Sequence, residues 1–104
     1  MRNTTLVWTQ RAKQRLVDSV SYIAENFSPF YATAFRDDVM STVAKIQENP
    51  DRGNEAFPEL KLPSFRFRLC ASKNWAVYYS IKGNVIEIRS IRHALQNTRT
   101  PQDL

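Results

Sequence analysis

The chain has 104 residues, which is enough for one domain with a modest core and too few for two. Hydrophobic residues make up 42% and charged residues 24%, which excludes intrinsic disorder as the main state. No apolar run approaches the roughly 20 residues of a membrane helix, and no signal peptide is recognisable. We therefore expect one cytoplasmic domain over residues 1–104, with no membrane partner. Its one cysteine, Cys70, excludes an internal disulfide and a cysteine-cluster zinc site, and the sequence predicts no metal and no cofactor.

The net charge of +5 is distributed unevenly along the chain. Residues 1–60 carry seven basic and eight acidic side chains, a balance of −1, whereas residues 61–104 carry eight basic and two acidic ones, a balance of +6. A surplus confined to one half of a chain indicates a polyanionic partner, either nucleic acid or an acidic protein. The alternative is a surface that is merely well solvated.

The first half of the chain predicts a strand followed by two helices. A short apolar run at residues 6–8 is typical of a strand, and Thr9 can cap the helix that follows. Apolar side chains then recur every three or four residues to Phe27, which predicts a helix over residues 10–26 with Phe27 on its buried face. Ser28-Pro29 favours the start of a second helix, which Asn49-Pro50 ends. Together the two helices form a helical hairpin.

The second half predicts a loop, three strands and a frayed tail. Residues 49–64 contain three of the five prolines and read as a connection. Side chains then alternate over residues 65–70, 75–81 and 85–91, with a turn at Lys82-Gly83-Asn84. Residues 94–104 are poor in apolar side chains, so we expect them to fray. The predicted fold class is α+β in the order β-α-α-β-β-β, with the helical hairpin packed on a small antiparallel sheet.

Several side chains of the strands are candidates for chemistry or binding. Alternation places Arg66 and Arg68 on one face of their strand and the aromatic residues on the other, a pattern typical of phosphate binding or of an ordinary half-solvated strand. Tyr78 is the aromatic side chain most suited to stack on an exposed base. In contrast, Trp75, Tyr79 and Cys70 are better explained by packing in the core.

The last strand offers the residues that acid–base catalysis would need. His93 is the only histidine, so any histidine chemistry depends on it. Cleavage of RNA through its own 2′-hydroxyl needs a base, an acid and cations that stabilise the phosphate. His93 with Glu87 can serve as the proton-transfer pair, and Arg66, Arg68 and Arg89 as the clamp. The alternative is that Glu87 and Arg89 form a surface ion pair and that His93 packs or caps the strand end.

Over residues 5–97 the sequence resembles the RelE/ParE family of bacterial toxins from type II toxin–antitoxin systems, whose fold is the one predicted above. The resemblance rests on short segments that occur in the family's order: Val7-Trp8-Thr9, Ala12-Lys13, Leu16, Tyr22-Ile23-Ala24-Glu25, Asn49-Pro50, Gly53, Pro58-Glu59-Leu60, Trp75-Ala76-Val77-Tyr78-Tyr79, and a last strand that runs into His93. Its long helical hairpin and the connection from Asn49-Pro50 to Leu60 are more similar to the ParE-like branch.

The resemblance implies a growth-arresting toxin of the plasmid-stabilisation type, neutralised by an acidic antitoxin within a toxin–antitoxin hetero-oligomer. ParE-like members block DNA gyrase, and this reading is favoured. RelE-like members are ribosome-dependent endoribonucleases that cut mRNA, for which Arg66, Arg68, Arg89 and His93 would be the catalytic set. Ala76 stands where those nucleases have an arginine, which also allows a degenerate toxin that retains antitoxin binding and co-repression. In every reading, the residues expected to bind the target or antitoxin are Arg66, Arg68, Tyr78, Arg89 and Arg92.

Overall fold

The structure, a computed structural model, describes residues 4–70, 73–94, 96 and 98–104. Two helices and five strands follow one another along the chain, with single turns of 3-10 helix at Pro50–Arg52, Pro58–Leu60 and Pro101–Asp103. Among the described residues, no helix is both long enough and apolar enough to cross a membrane. The helices and strands are β1 (Thr5–Trp8), α1 (Gln10–Asn26), α2 (Pro29–Glu48), β2 (Asn54–Glu55), β3 (Phe65–Leu69), β4 (Trp75–Lys82) and β5 (Val85–His93).

Both helices begin where their capping residues predict. The Thr9 hydroxyl accepts a hydrogen bond from the Ala12 N–H at 3.0 Å, and the Ser28 hydroxyl accepts one from the Tyr31 N–H at 3.1 Å. Each cap satisfies a backbone N–H that the first turn of a helix otherwise leaves without a partner. Pro29 occupies the first position of α2, where its missing N–H has no cost.

The five strands form one sheet in the order β1-β5-β4-β3-β2. The pairs β2–β3, β3–β4 and β4–β5 are antiparallel, as short connections dictate, but β1 pairs with β5 in parallel. The sheet is therefore mixed, whereas the sequence predicted an antiparallel one. The reason is that β1 is followed by the helical hairpin and not by a tight turn, so no local connection determines the direction of its partner.

The pairing register assigns every strand residue to one of two faces. Trp75 packs against Phe35 of α2 with ring centroids 4.8 Å apart, so its face of β4, which also carries Val77 and Tyr79, is the helix-facing side. The other side, which we call the open face, carries Phe65, Phe67, Leu69, Ala76, Tyr78, Ser80, Val85, Glu87, Ser90, Arg92 and, from β1, Val7.

The core lies between the helix-facing side of the sheet and the helical hairpin. Its fully buried members include Val39 and Ile46 of α2 and Val77, Tyr79 and Ile88 of the sheet. Phe27 is a correction to the predicted core, because its side chain is 69% exposed. It is the residue that ends α1, and its backbone leaves the helical conformation there (φ −126°, ψ −81°). The apolar periodicity of a helix does not extend past the last helical turn.

The sequence predicts that residues 94–104 fray. Residues 95 and 97 lie outside the described residues, and residues 98–104 contain a turn of 3-10 helix at Pro101–Asp103 that contacts the domain. Leu104 is buried, and the buried Arg92 donates a hydrogen bond to the carbonyl oxygen of Asp103. Hydrogen bonds from Arg11 and Arg92 to main-chain oxygens hold this segment against the domain, and low apolar content gives no information about such contacts.

Candidate binding surface on the open face

An apolar and aromatic surface lies on the open face, away from the helices. Phe65 and Phe67 belong to it because they pair with Ser80 and Tyr78, whose side chains alternate away from the buried Val77 and Tyr79. Phe67 and Tyr78 contact each other across the two strands, with ring centroids 5.4 Å apart at an angle of 33°. Direct cross-strand pairs of this kind stabilise a sheet and present a rigid surface to a partner.

Arg89 reaches this face through an irregularity in β5. Tyr78 pairs with Ser90 and Tyr79 pairs with Ile88, so Arg89 is the extra residue of a β-bulge. Its guanidinium lies over the ring of Phe65, 5.3 Å from the centroid, and donates a hydrogen bond to Glu87 Oε1 at 2.5 Å. The bulge therefore places a cation next to the aromatic surface, with its charge partly balanced by Glu87.

A shallow cavity of about 610 Å³ opens beside this arrangement. Its walls combine the Phe65 ring and two serine hydroxyls with both signs of charge. A mixed lining of this kind suits a partner that offers an apolar side chain together with an acidic one. The cavity is lined by Ser64, Phe65, Ser80, Ile81, Lys82, Val85, Glu87 and Arg89.

Arg66 and Arg68 lie on the helix-facing side of the sheet. They pair with Tyr79 and Val77, both fully buried, and are themselves half-buried. Arg66 donates hydrogen bonds to the carbonyl oxygens of Gly53 at 2.8 Å and Asp51 at 3.5 Å. Arg66 therefore anchors the turn after α2. The face of β3 that points away from the helices carries the aromatic side chains and not the arginines.

Arg92 and His93 occupy opposite sides of the end of β5. Arg92 is 8% exposed on the open face, beneath the C-terminal turn. His93 pairs with Trp75 and contacts its indole edge to face, with ring centroids 5.1 Å apart. A small cavity there is lined by His93, Trp75 and, from the end of α1, Tyr22 and Phe27.

The structure does not bring the four candidate nuclease residues into one site. His93 pairs with Trp75 and Arg66 pairs with Tyr79, four residues further along β4, a separation of about 13 Å along the strand. Arg89 contacts Phe65 on the other face of the sheet. Glu87, the possible proton-transfer partner of His93, also lies on that other face, where it accepts from Arg89.

A second exposed aromatic group, which the sequence analysis did not identify as a site, lies at the tip of the helical hairpin. Tyr22 contacts Phe27 edge to face at 6.3 Å, and Phe30 contacts Tyr31 in the same way at 5.8 Å. All four side chains are more than half exposed. The signal that was available is the density of aromatic residues around the Ser28-Pro29 turn, where helical periodicity no longer requires burial.

Other candidates for chemistry are absent or buried in the described part of the chain. No group of three or more His, Cys, Asp or Glu residues that could hold a metal ion occurs among the described residues. Burial raises the pKa of the Cys70 thiol, and the nearby Asp38 adds to this effect, while a hydrogen bond with Thr42 opposes it. A buried and protonated thiol is a packing residue and a poor nucleophile.

Comparison with known proteins finds a matching family model and a similar solved structure. The family model described as the ParE toxin of type II toxin–antitoxin system, parDE, matches residues 6–98. Among solved structures, the chain is similar to one from the chromosomal ParDE toxin–antitoxin system of P. aeruginosa. The TM-score is 0.72 at 21% sequence identity, and the match covers 86% of this chain and 95% of that chain. No match was found among the curated proteins.

Proposed function

We propose, from the premise that this chain belongs to the ParE toxin family of type II toxin–antitoxin systems, that it arrests growth by binding DNA gyrase. We also propose that an acidic antitoxin neutralises it. Family membership is the observation that carries this proposal. The layout of the side chains supports it, because the open face offers an aromatic surface beside a cavity, while the candidate nuclease residues are divided between two faces. A toxin that acts by binding requires such a surface and no aligned acid and base.

The antitoxin is proposed to bind the open face around Phe65, Phe67, Tyr78 and Arg89. Aromatic side chains and arginine are the residues that contribute most to the energy of protein interfaces. Arg89 lies between the Phe65 ring and Glu87, so an incoming carboxylate can take the place of Glu87 without leaving a cation unpaired. An acidic segment with interspersed apolar residues fits this surface by both charge and shape.

The gyrase target is tested with the purified full chain in a DNA supercoiling reaction. We expect supercoiling by gyrase to fall as the chain is added and to recover when an equimolar amount of antitoxin is included. Relaxation by a topoisomerase that is unrelated to gyrase serves as the control, because general DNA binding by a basic protein would inhibit both reactions. Full supercoiling at a large excess of toxin would contradict the gyrase proposal.

Message cleavage in the same induced culture separates the two branches of the wider RelE/ParE family. Binding to gyrase predicts changed plasmid topology with intact messages. Cuts at fixed codon positions in ribosome-bound mRNA, lost in His93→Ala, would contradict the proposal and support the endoribonuclease. Harmless expression combined with tight antitoxin binding would also contradict it, and would instead indicate a degenerate toxin that retains antitoxin binding and co-repression.

A further inference from the structure

Arginines from distant parts of the chain converge on residues 102–104. Arg11, in the first turn of α1, donates through Nη1 to the carbonyl oxygen of Gln102, at 3.2 Å, and to a main-chain oxygen of Leu104. Arg92, near the end of β5, donates through Nη1 to the carbonyl oxygen of Asp103. Arg15 lies one helical turn after Arg11, and its pKa is lowered first by burial and then by the charges of Arg92 and Arg11. Main-chain oxygens of one short segment therefore bind Arg11 and Arg92, and the charges of these two arginines act on Arg15.

The segment that contacts these arginines is a folded turn. The Asp103 carboxylate accepts hydrogen bonds from the backbone N–H groups of Arg99, at 2.7 Å, and Thr100, at 3.0 Å. Thr100 caps the turn in return, which completes a reciprocal capping box. Leu104 is 4% exposed, so the turn presents carbonyl oxygens and one aliphatic side chain to the domain.

Ser90 and Ala76 lie next to Arg92 in the sheet, Ser90 two residues earlier in β5 and Ala76 opposite Arg92 in β4. Ser90 and Ala76 are buried although they lie on the open face, away from the helices. The Ser90 hydroxyl is fully buried and has no hydrogen-bond partner among the described residues. Buried hydroxyls normally have a partner, so an unsatisfied one in this position indicates a group that a different occupant can engage.

We propose that the surface under this turn, which we call the arginine cleft (Arg11, Arg15, Arg92 and Ser90), is a peptide-binding site for a short turn that is capped by an aspartate and carries an aliphatic side chain. Residues 100–104 are its internal ligand, and a protein partner that carries a similar turn exchanges with them. The ligand is a peptide and not a phosphate, because the present occupant contributes main-chain oxygens and a buried leucine. Peptide binding in the cleft depends neither on the gyrase target nor on where the antitoxin binds.

Because the arginines of the cleft repel one another, replacement of the internal turn by another peptide is favoured over a cleft that is left empty. Removal of the internal turn would take the main-chain oxygens away from Arg11 and Arg92, whose charges also act on the neighbouring Arg15. The tethered segment competes at an effective concentration of roughly millimolar, so a free peptide binds the unmodified chain poorly. Weakening the internal turn in the full-length chain should therefore reveal the site.

The experiment measures fluorescence anisotropy of a labelled peptide with the sequence of residues 98–104. It compares the unmodified full chain with the full-length double variant Asp103→Ala/Leu104→Ser, in which the turn loses its cap and its buried side chain. We expect the double variant to bind the peptide at least about tenfold more tightly, because its own segment no longer competes. Adding Arg11→Gln or Arg15→Gln to the double variant should remove most of this binding.

Matched controls separate binding in the cleft from non-specific binding of the peptide to the protein. Arg52→Gln, which removes an exposed arginine elsewhere, should leave binding unchanged, and a peptide carrying the same Asp103→Ala and Leu104→Ser changes should not bind. Thermal unfolding shows whether each variant is folded. Two separate arginine variants are made so that the test can still be read if one of them misfolds. Equal affinity of the unmodified chain and the double variant, or equal losses in Arg11→Gln and Arg52→Gln, would overturn the proposal.

Discussion

The hydroxyl of Tyr79 donates a hydrogen bond to the carbonyl oxygen of Pro50 at 2.5 Å. This bond joins the middle of β4 to the turn that follows α2, inside a region where both residues are buried. The ring of Tyr79 also lies against Gly53, where an added Cβ would be 2.0 Å from the hydroxyl oxygen. The helical hairpin and the sheet are thus connected by the hydrogen bond between Tyr79 and Pro50. The tyrosine fits there because Gly53, in the same turn, has no side chain.

Replacement of Tyr79 by phenylalanine should destabilise the domain by about 1–3 kcal/mol, because it leaves the Pro50 carbonyl oxygen buried without this donor. Gly53→Ala should cost at least about as much, since either the turn or the tyrosine has to move. Urea unfolding followed by fluorescence measures both free energies. Ser41→Ala, an exposed position on α2, is the control. Unchanged midpoints in both variants would show that this contact does not stabilise the fold.

Tyr78→Ala should weaken antitoxin binding at least about tenfold, because a central aromatic side chain of an interface contributes a large part of its energy. Tyr22→Ala is the matched control, since Tyr22 is an exposed tyrosine on a different surface, at the tip of the helical hairpin. Calorimetric titration of the antitoxin into each folded variant gives the comparison. A larger loss in Tyr22→Ala than in Tyr78→Ala would move the antitoxin surface to the hairpin tip.

The Cys70 thiol should react with a disulfide reagent at pH 8 at least roughly a hundredfold more slowly in the native chain than in the urea-unfolded chain. The side chain is 1% exposed, and burial raises the pKa of its thiol, so both access and the thiolate fraction are reduced. Absorbance of the released thiolate follows the reaction. Complete labelling of the native chain at the unfolded rate would contradict the buried position.

Acidification should release the C-terminal turn before it unfolds the domain. The two backbone N–H groups that bind the Asp103 carboxylate lower its pKa below the ordinary 3.8. A depressed pKa in the folded turn means that the carboxylate stabilises it fully above pH 3.8, and that this contribution is lost as the pH falls through the lowered value.

Nuclear magnetic resonance of the Arg99 and Thr100 amide signals measures this effect directly. Both signals should titrate together with a midpoint below 3.8, and Asp103→Asn should abolish the transition. A midpoint at or above 3.8 would mean that the carboxylate does not hold the turn in solution.

The helices were predictable because their signals are local. Thr9 and Ser28 cap helices within three residues of themselves, and Pro29 and Asn49-Pro50 act on the adjacent backbone. Such interactions form in the same way whatever the rest of the chain does. The same locality explains the failure at Phe27, where the apolar period continued by coincidence for one residue beyond the helix.

The assignment of strand faces could not be predicted in the same way. Alternation in β3 separates Arg66 and Arg68 from Phe65 and Phe67, but a strand with a period of two has two equivalent orientations. Only pairing with Tyr79 and Val77 placed the arginines on the helix-facing side. A β-bulge, which no sequence pattern marked, then brought Arg89 to the open face beside Phe65.

The charge surplus of the last 44 residues was a property of the sequence alone, as were the helices, their caps and the α+β class. The tertiary structure decided how that charge is used. It buried Arg92 under the C-terminal turn, tied Arg66 to the Gly53 carbonyl oxygen and left Arg89 on an aromatic surface. Composition and local pattern determine which elements form, because these depend on neighbours in the chain. The environment of each charge depends on register and on long-range contacts, which exist only once the sheet has assembled.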